Sequence, residues 1–457
     1  MSTTEIGVTE RDRHTHPARA GAAPLALGPE QRATLRRVVL SGLIGNFVEW
    51  YDLAAYAYAA VAISAAFFPD EARSVALLGT FAVYATTYVV RPFSGLVWGV
   101  LGDRFGRKKL LVLTIALMAA STTAIGVIPG YATIGIAAPL LLILARIVQG
   151  IAAGGEFIGA ATYVYEHAPV HRRGLLVGLI QLGTGLTYPA AAFFSLGLNS
   201  WFGEQGYTSN GWRLMFLVSA PLGLVALFIR MKLSETPVFT ELAARKRVSR
   251  SPLREAVTAH WRLLGSTALY ICGYMVAAMM LNFYMPVYLP TVLGKSASAT
   301  AVIMGFTMLT FALSIPCYGA LVDRFPRSTM RLISCAVYLV LVIPAFLLIG
   351  RGATALLVIG LLLLATLEGF HYAIAPLSAI DVFPTEVRYT AGGIAYNIPV
   401  AVIPAVVPPL ATLLVEGTGL VWSPALIGVG FSALAIVGAL GISASHRRAD
   451  RESGSAG

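Results

Sequence analysis

Two carboxylates and an amide, Glu49, Asp52 and Asn46, sit in IGNFVEWYDLAAYAY (44–58), a segment otherwise apolar or aromatic. Gly45, Glu49, Asp52 and Tyr56 fall at i, i+4, i+7 and i+11, which is one face of a helix. Acids so placed can take up and release protons, with burial and a like-charged neighbour tuning their affinity. Two of them on one stripe titrate as a pair, so either Glu49 or Asp52 can be the carrier. Glu156, ten residues after Arg146 in RIVQGIAAGGEFIGA, is a further proton-carrier candidate. Arg91 in VVRPFSG and Arg146 are cations in equally apolar surroundings. A guanidinium in a dry site can grip a substrate carboxylate through its planar fork, or hold one of these acids until a proton or solute releases it. Gln149, one turn past Arg146, joins Asn46, Tyr56, Arg91 and Arg146 as a candidate cavity liner. Glu368 and His371, i and i+3 neighbours late in the chain, complete that set. His371 can relay protons near neutral pH or serve as a structural histidine. Trp50, Tyr51 and Tyr58 can box a quaternary ammonium or simply pack. The alternative for the whole set is buried polar pairing that fixes helix packing.

Only a particular setting tolerates such groups. Of 457 residues, 57% are hydrophobic and 12% charged, against roughly 25% charged in a soluble domain. Several windows stay apolar for about 20 residues, the length a helix needs to cross ~30 Å of hydrocarbon. An ionisable group at a helix centre costs about 2.5–3.5 kcal/mol on insertion scales, so these side chains must face protein or water. Punctuation by Pro, Gly and charge predicts twelve spans, near 38–66, 75–101, 110–128, 136–162, 174–198, 212–231, 263–290, 299–322, 330–350, 353–382, 389–415 and 419–443. The fold class is an all-α membrane protein of twelve transmembrane helices. Gly150, Gly154, Gly155 and Gly159 give G-xxx-G spacings that favour close helix packing.

Lys and Arg sort by loop: 27 of 33 lie in the tails and in the loops after the even-numbered spans. By the positive-inside rule both termini face the cytoplasm. The net charge of +11 is therefore a topology signal and argues against a nucleic-acid partner. Residues 1–35 lack the apolar run of a signal peptide and read as a disordered cytosolic tail. Cys272, Cys317 and Cys335 have no paired spacing, which argues against disulfides and metal. No nucleophile–base–acid constellation suggests an enzyme.

The polar stretch 232–262 divides residues 36–231 from 263–443, with a short tail at 444–457. GVLGDRFGRKK (99–109) recurs as GALVDRFPRST (319–329), and EHAPVHRR (166–173) as DVFPTEVR (381–388), at nearly one offset. Two homologous six-helix bundles facing a central cavity follow. The repeated loops supply gating candidates: Asp103, Arg104, Arg107 and Lys108 with Asp323 and Arg324, and the acid–Arg motifs Glu166, Arg173, Asp381 and Arg388. Asp103 can meet the N-terminal dipole of another helix, and the charges can pair when one side closes. Pro326, Ser328 and Thr329 weaken the second copy, so the first is expected to carry more of the gating.

These loops resemble the signature of the major facilitator superfamily. GNFVEWYD, RIVQGIAAGGEFIGA, ETPVF and FPTEVRYTAGGIAYN are similar to its metabolite:proton symporter branch, over everything except the tails. The resemblance implies two pseudo-symmetric six-helix bundles and alternating-access uptake driven by a proton gradient, with no cofactor. Its implied partners are a small solute, protons and the lipid bilayer of the plasma membrane, with no obligate protein partner. FYMPVYLP and IPAFLLI look most like proline/betaine members. A carrier of organic acids such as 2-oxoglutarate, citrate, shikimate or aromatic acids is the alternative, and a non-transporting solute sensor a third. Span 5 lacks the Gly-Pro pair expected of drug antiporters, which favours uptake.

Overall fold

The computed structural model describes residues 29–69, 73–232 and 252–454. The side chains of Glu156 and Arg107 fall outside the described residues, as do residues 1–28 of the expected tail and most of the stretch 232–262. Among the described residues every regular element is helical. Hydrocarbon offers no partner for a free N–H or C=O, so each crossing segment must satisfy its own backbone.

Twelve long helices follow one another: α1 (Pro29–Phe67), α2 (Arg73–Phe105), α3 (Arg107–Val127), α4 (Ala137–His167), α5 (Arg173–Ser209), α6 (Ser219–Met231), α7 (Trp261–Ala278), α8 (Ala297–Val322), α9 (Arg327–Gly350), α10 (Thr354–Ile380), α11 (Arg388–Thr418) and α12 (Ala425–Gly454). Short turns, Gly211–Arg213 and Leu214–Leu217, lead into α6. α7 runs on through a π-helical stretch, Met279–Tyr284, into Met285–Thr291. Each helix overlaps a predicted span, although α1 begins at Pro29 and not at 38, and α6 proper at Ser219 and not at 212, after the two short turns. α12 begins at Ala425 and not at 419, because Gly419 takes a left-handed φ of 68° that ends α11. Ten described segments, α3 through α12 with their extensions, are long and apolar enough to cross a membrane. α1 and α2 are the helices that carry Glu49, Asp52 and Arg91.

The packing repeats with a step of six helices. α1 lies on α5 as α7 lies on α11, α2 on α4 as α8 on α10, and α3 on α4 as α9 on α10. The halves meet along α2–α11 and α5–α8, which are also equivalent pairs. Glycines permit the closest approaches. A Cβ on Gly150 would stand 2.7 Å from the Thr87 carbonyl oxygen, and one on Gly154 would collide with Ser94 Oγ. The G-xxx-G run of α4 thus presses that helix onto α2, where Ser94 Oγ donates to the Gly150 carbonyl at 3.0 Å.

Polarity is inverted relative to a soluble protein. Phe93, Leu224, Phe306 and Val340 point outward at 66–71% exposure, while Glu49, Asp52, Arg91, Arg146, Gln149, Glu368 and His371 are at most 2% exposed. An outer face of this kind suits lipid, and the ionisable groups are gathered where the helices meet one another.

Candidate functional site

The helical stripe of α1 meets both intramembrane arginines. Glu49 Oε1 lies 3.1 Å from Arg91 Nη2 of α2. One turn on, Asp52 Oδ2 accepts from Arg146 Nη1 of α4 at 2.9 Å. Gln149 Nε2 donates to Asp52 Oδ1 at 2.6 Å and to Thr122 Oγ1 of α3 at 2.8 Å, while Gln149 Oε1 accepts from Arg146 Nη1 at 2.7 Å. Each acid therefore has its own guanidinium. Of the acids open to Arg146 in the sequence, the one it meets is Asp52.

Aromatic faces cover the cations. Arg146 stacks over Tyr56 at 4.2 Å and Tyr84 at 5.0 Å, and Arg91 over Tyr88 at 5.4 Å and Trp50 at 5.9 Å. The Tyr84 and Tyr88 hydroxyls share a hydrogen bond of 3.2 Å. Tyr56 donates to the Thr80 carbonyl at 3.1 Å, so its ring, and not its hydroxyl, serves the site. Rings hold the guanidinium planes without competing for their N–H groups.

Two expectations meet a different arrangement. Asn46 lies off the stripe, its Nδ2 donating to the Ile180 carbonyl, Gln181 Oε1 and Thr184 Oγ1 of α5 at 2.6–3.0 Å. It ties α1 to α5. Nor do Trp50, Tyr51 and Tyr58 form a box: Tyr51 donates to the Met215 carbonyl at 3.1 Å, and Tyr58 is 45% exposed. Adjacent Trp50 and Tyr51 point about 100° apart, and Tyr58, on the Tyr51 side, lies two turns further along α1.

In the C-terminal half Glu368 of α10 accepts from Asn282 Nδ2 at 3.0 Å. Asn282 sits in the π-helical stretch, where an extra residue per turn redirects side chains. Tyr188 of α5 meets Phe283, the neighbour of Asn282, edge to face at 6.3 Å. His371 bonds the Leu367 carbonyl of its own helix through Nδ1 at 3.2 Å, and its ring meets Tyr338 edge to face at 5.3 Å. Tyr372 packs edgewise on Tyr274 and Phe311 at 4.7 and 4.8 Å.

Gating residues meet at one end of the bundle. Asp103, closing α2, accepts from Thr390 N–H at 2.9 Å and Thr390 Oγ1 at 2.8 Å, capping the start of α11. Its repeat equivalent Asp323 accepts from the N–H groups of Gly174 at 2.6 Å and Leu175 at 2.9 Å, capping the start of α5. Each acid thus docks on a helix N-terminus of the other half, where backbone donors and the dipole favour it. The second motif keeps its dock despite Pro326, Ser328 and Thr329, because the aspartate and the receiving helix are retained. Burial pushes the Asp323 carboxyl above its usual value, against the two N–H groups that hold it down. Arg104 and Arg324 are exposed, and Lys108 is half-buried.

One ion pair of the acid–Arg repeats crosses between the halves. Arg388 Nη1 faces Glu166 Oε1 across the halves at 3.6 Å, while Asp381 takes Arg327 at 2.9 Å and Arg331 at 3.8 Å. Arg173 turns instead to Tyr165, donating to its hydroxyl at 3.1 Å, and Arg327 donates to the same oxygen at 3.3 Å. The Tyr165 ring lies under Arg173, Arg388 and Arg327 at 4.1, 5.3 and 5.6 Å. Tyr165, Thr122, Asn282, Arg327 and Arg331 escaped the sequence reading. The one signal available was a lone amide in the apolar run MMLNFYMP.

Buried ion pairs on one helical face, with interlocking helix caps between two repeated halves, define a multi-pass membrane fold. Residues 42–404 match the family described as Major Facilitator Superfamily, and the chain belongs to it. It is 35% identical over 400 residues to the proline/betaine transporter of Salmonella typhimurium, covering 86% of this chain and 80% of that one. It is 34% identical over 429 residues to the ectoine/proline transporter ProP of Corynebacterium glutamicum, covering 91% and 85%. A double-tryptophan mutant of XylE superposes with a TM-score of 0.74 at 16% identity, over 89% of this chain and 95% of that one. The proton:xylose symporter XylE bound to 6-bromo-6-deoxy-D-glucose gives 0.71 at 17%, over 90% and 95%.

Proposed function

We propose that this chain is a proton-coupled symporter that imports a small zwitterionic osmolyte of the proline/betaine type by alternating access. The pairs Glu49–Arg91 and Asp52–Arg146 carry the reading. Breaking a buried pair by removing one partner costs about 3–5 kcal/mol, because an uncompensated charge is left behind. A solute carboxylate that takes an arginine therefore favours a proton on the acid it displaces. Binding of the two is coupled by that shared cost, which is what symport requires. No cofactor enters, and the proton gradient supplies the energy. The names of the relatives, which cover proline, betaine and ectoine, support the choice of solute.

In this reading the chain crosses the cell membrane twelve times in two six-helix bundles with both termini cytoplasmic, so that the Asp103 and Asp323 docks lie on the cytoplasmic side, an orientation that the loop distribution of Lys and Arg supports. There they hold that side shut while the other admits solute. Uptake of labelled betaine, proline and 2-oxoglutarate into proteoliposomes with an inwardly directed proton gradient tests the reading. Accumulation of betaine or proline that collapses with a protonophore is the expected result. Accumulation of 2-oxoglutarate alone would replace the osmolyte with an organic acid, and gradient-insensitive uptake would remove the proton coupling.

A further inference from the structure

Glu368 is 1% exposed, yet among the described residues its one hydrogen bond comes from the neutral amide of Asn282. Its Oε2 and the Asn282 Oδ1 meet no protein donor, and no Lys, Arg or His among the described residues forms an ion pair with it. Glu49 and Asp52, at the same depth of burial, each have a guanidinium. A carboxylate removed from water needs a compensating charge. His371 does not supply it, since its Nδ1 is engaged with its own helix and its ring with Tyr338. Aromatic rings lie around this pair: Tyr372, one turn on along α10, packs edgewise on Tyr274 and Phe311, and Tyr188 of α5 meets Phe283, the neighbour of Asn282, edge to face at 6.3 Å. The Tyr188 hydroxyl has no hydrogen-bond partner among the described residues.

We infer that Glu368, with Asn282 behind it and the rings of Tyr188 and Tyr372 beside it, is the subsite for the cationic end of the solute. A quaternary or secondary ammonium is then the counter-charge that this half lacks. Tyrosine faces accept such a cation without requiring it to donate hydrogen bonds. Arg91, in the other half, receives the solute's carboxylate. The inference rests on the zwitterionic-osmolyte reading above and adds a selection rule: a solute must carry both signs, because each half offers one.

The test is equilibrium binding to the purified full-length protein in detergent, where no gradient exists. Labelled glycine betaine is competed with unlabelled betaine and with 3,3-dimethylbutanoate, which keeps the shape and carboxylate but has carbon in place of the charged nitrogen. The wild-type protein is expected to prefer betaine by about 10- to 100-fold, the range of a charge-assisted contact. Glu368→Gln should bring that ratio near one by weakening betaine, and Glu368→Asp should retain a preference. A ratio unchanged by Glu368→Gln overturns the subsite, even if gradient-driven uptake is lost, since the acid would then be a proton carrier. Equal binding of the two compounds by wild type overturns it without recourse to any variant. Absence of both betaine and proline binding overturns the subsite and the osmolyte reading together.

Discussion

The two halves share a packing plan but not an electrostatic one. The N-terminal half buries two acids on two arginines, cross-linked by Gln149 and shielded by tyrosine rings. The C-terminal half buries one acid on one amide, amid tyrosines. Equivalent backbones therefore hold unequal charge. One half is a set of ion pairs that a proton or anion must break, and the other is a surface awaiting a cation. A few side chains on a repeated scaffold are enough to give the two halves opposite electrostatic character.

The largest effect should come from splitting a pair. Arg146→Ala leaves Asp52 buried and alone, at a cost of about 3–5 kcal/mol, read as a lower thermal midpoint in detergent. Arg146→Ala with Asp52→Asn should recover much of that loss, whereas Asn282→Ala, which removes only a neutral donor, should cost about 1–3 kcal/mol. Equal costs for Arg146→Ala and Asn282→Ala would erase the contrast between the halves. Next in size, Glu49→Gln should abolish accumulation against a gradient while solute exchange between equilibrated compartments continues. Retained accumulation would move the proton to Asp52 or to Glu156.

Smaller effects belong to the docks. Asp103→Ala and Asp323→Ala should each loosen the loop-side closure by a similar amount, a few-fold in the closed population, seen in spin-label distances across α2–α11 and α5–α8. A much weaker Asp323→Ala would restore the ranking suggested by the degenerate second motif. The Asp323 carboxyl is raised by burial in the docked state. Its contribution to closure is therefore fully present below the ordinary aspartate value and lost as pH rises through the raised one. The same spin labels across α5–α8, read along a pH series, measure this smallest shift.

Span positions were legible because hydrocarbon imposes a length and an apolarity on every crossing segment. The docking of Asp103 was legible too, since an acid at the end of one helix has a helix start as its natural partner. Partner identities were not. Whether Arg146 meets Glu49 or Asp52 depends on the depth at which α4 crosses α1, and the two acids lie on one stripe less than one turn apart. Glu166 and Arg173 are seven residues apart in sequence, yet the turn at Val170–Arg172 reorients the chain between them and Arg388 arrives from the other half. Asn282 was hidden because the π-helical stretch breaks the periodicity that would have placed it on a face.

At Gly174 and Gly319 the backbones of the two halves touch with no side chain between them: a Cβ on Gly319 would stand 2.6 Å from the Gly174 carbonyl oxygen. Such a contact cannot be compressed further, so it acts as a fulcrum. Gly319 lies near the end of α8, whose opposite end at Ala297 is roughly 33 Å away at ~1.5 Å per residue. A tilt of roughly 10° about that point swings the far end by roughly 6 Å, about the width of a small osmolyte. Under the proposed alternating access, two glycines would let a slight rocking at one face of the membrane open an aperture at the other.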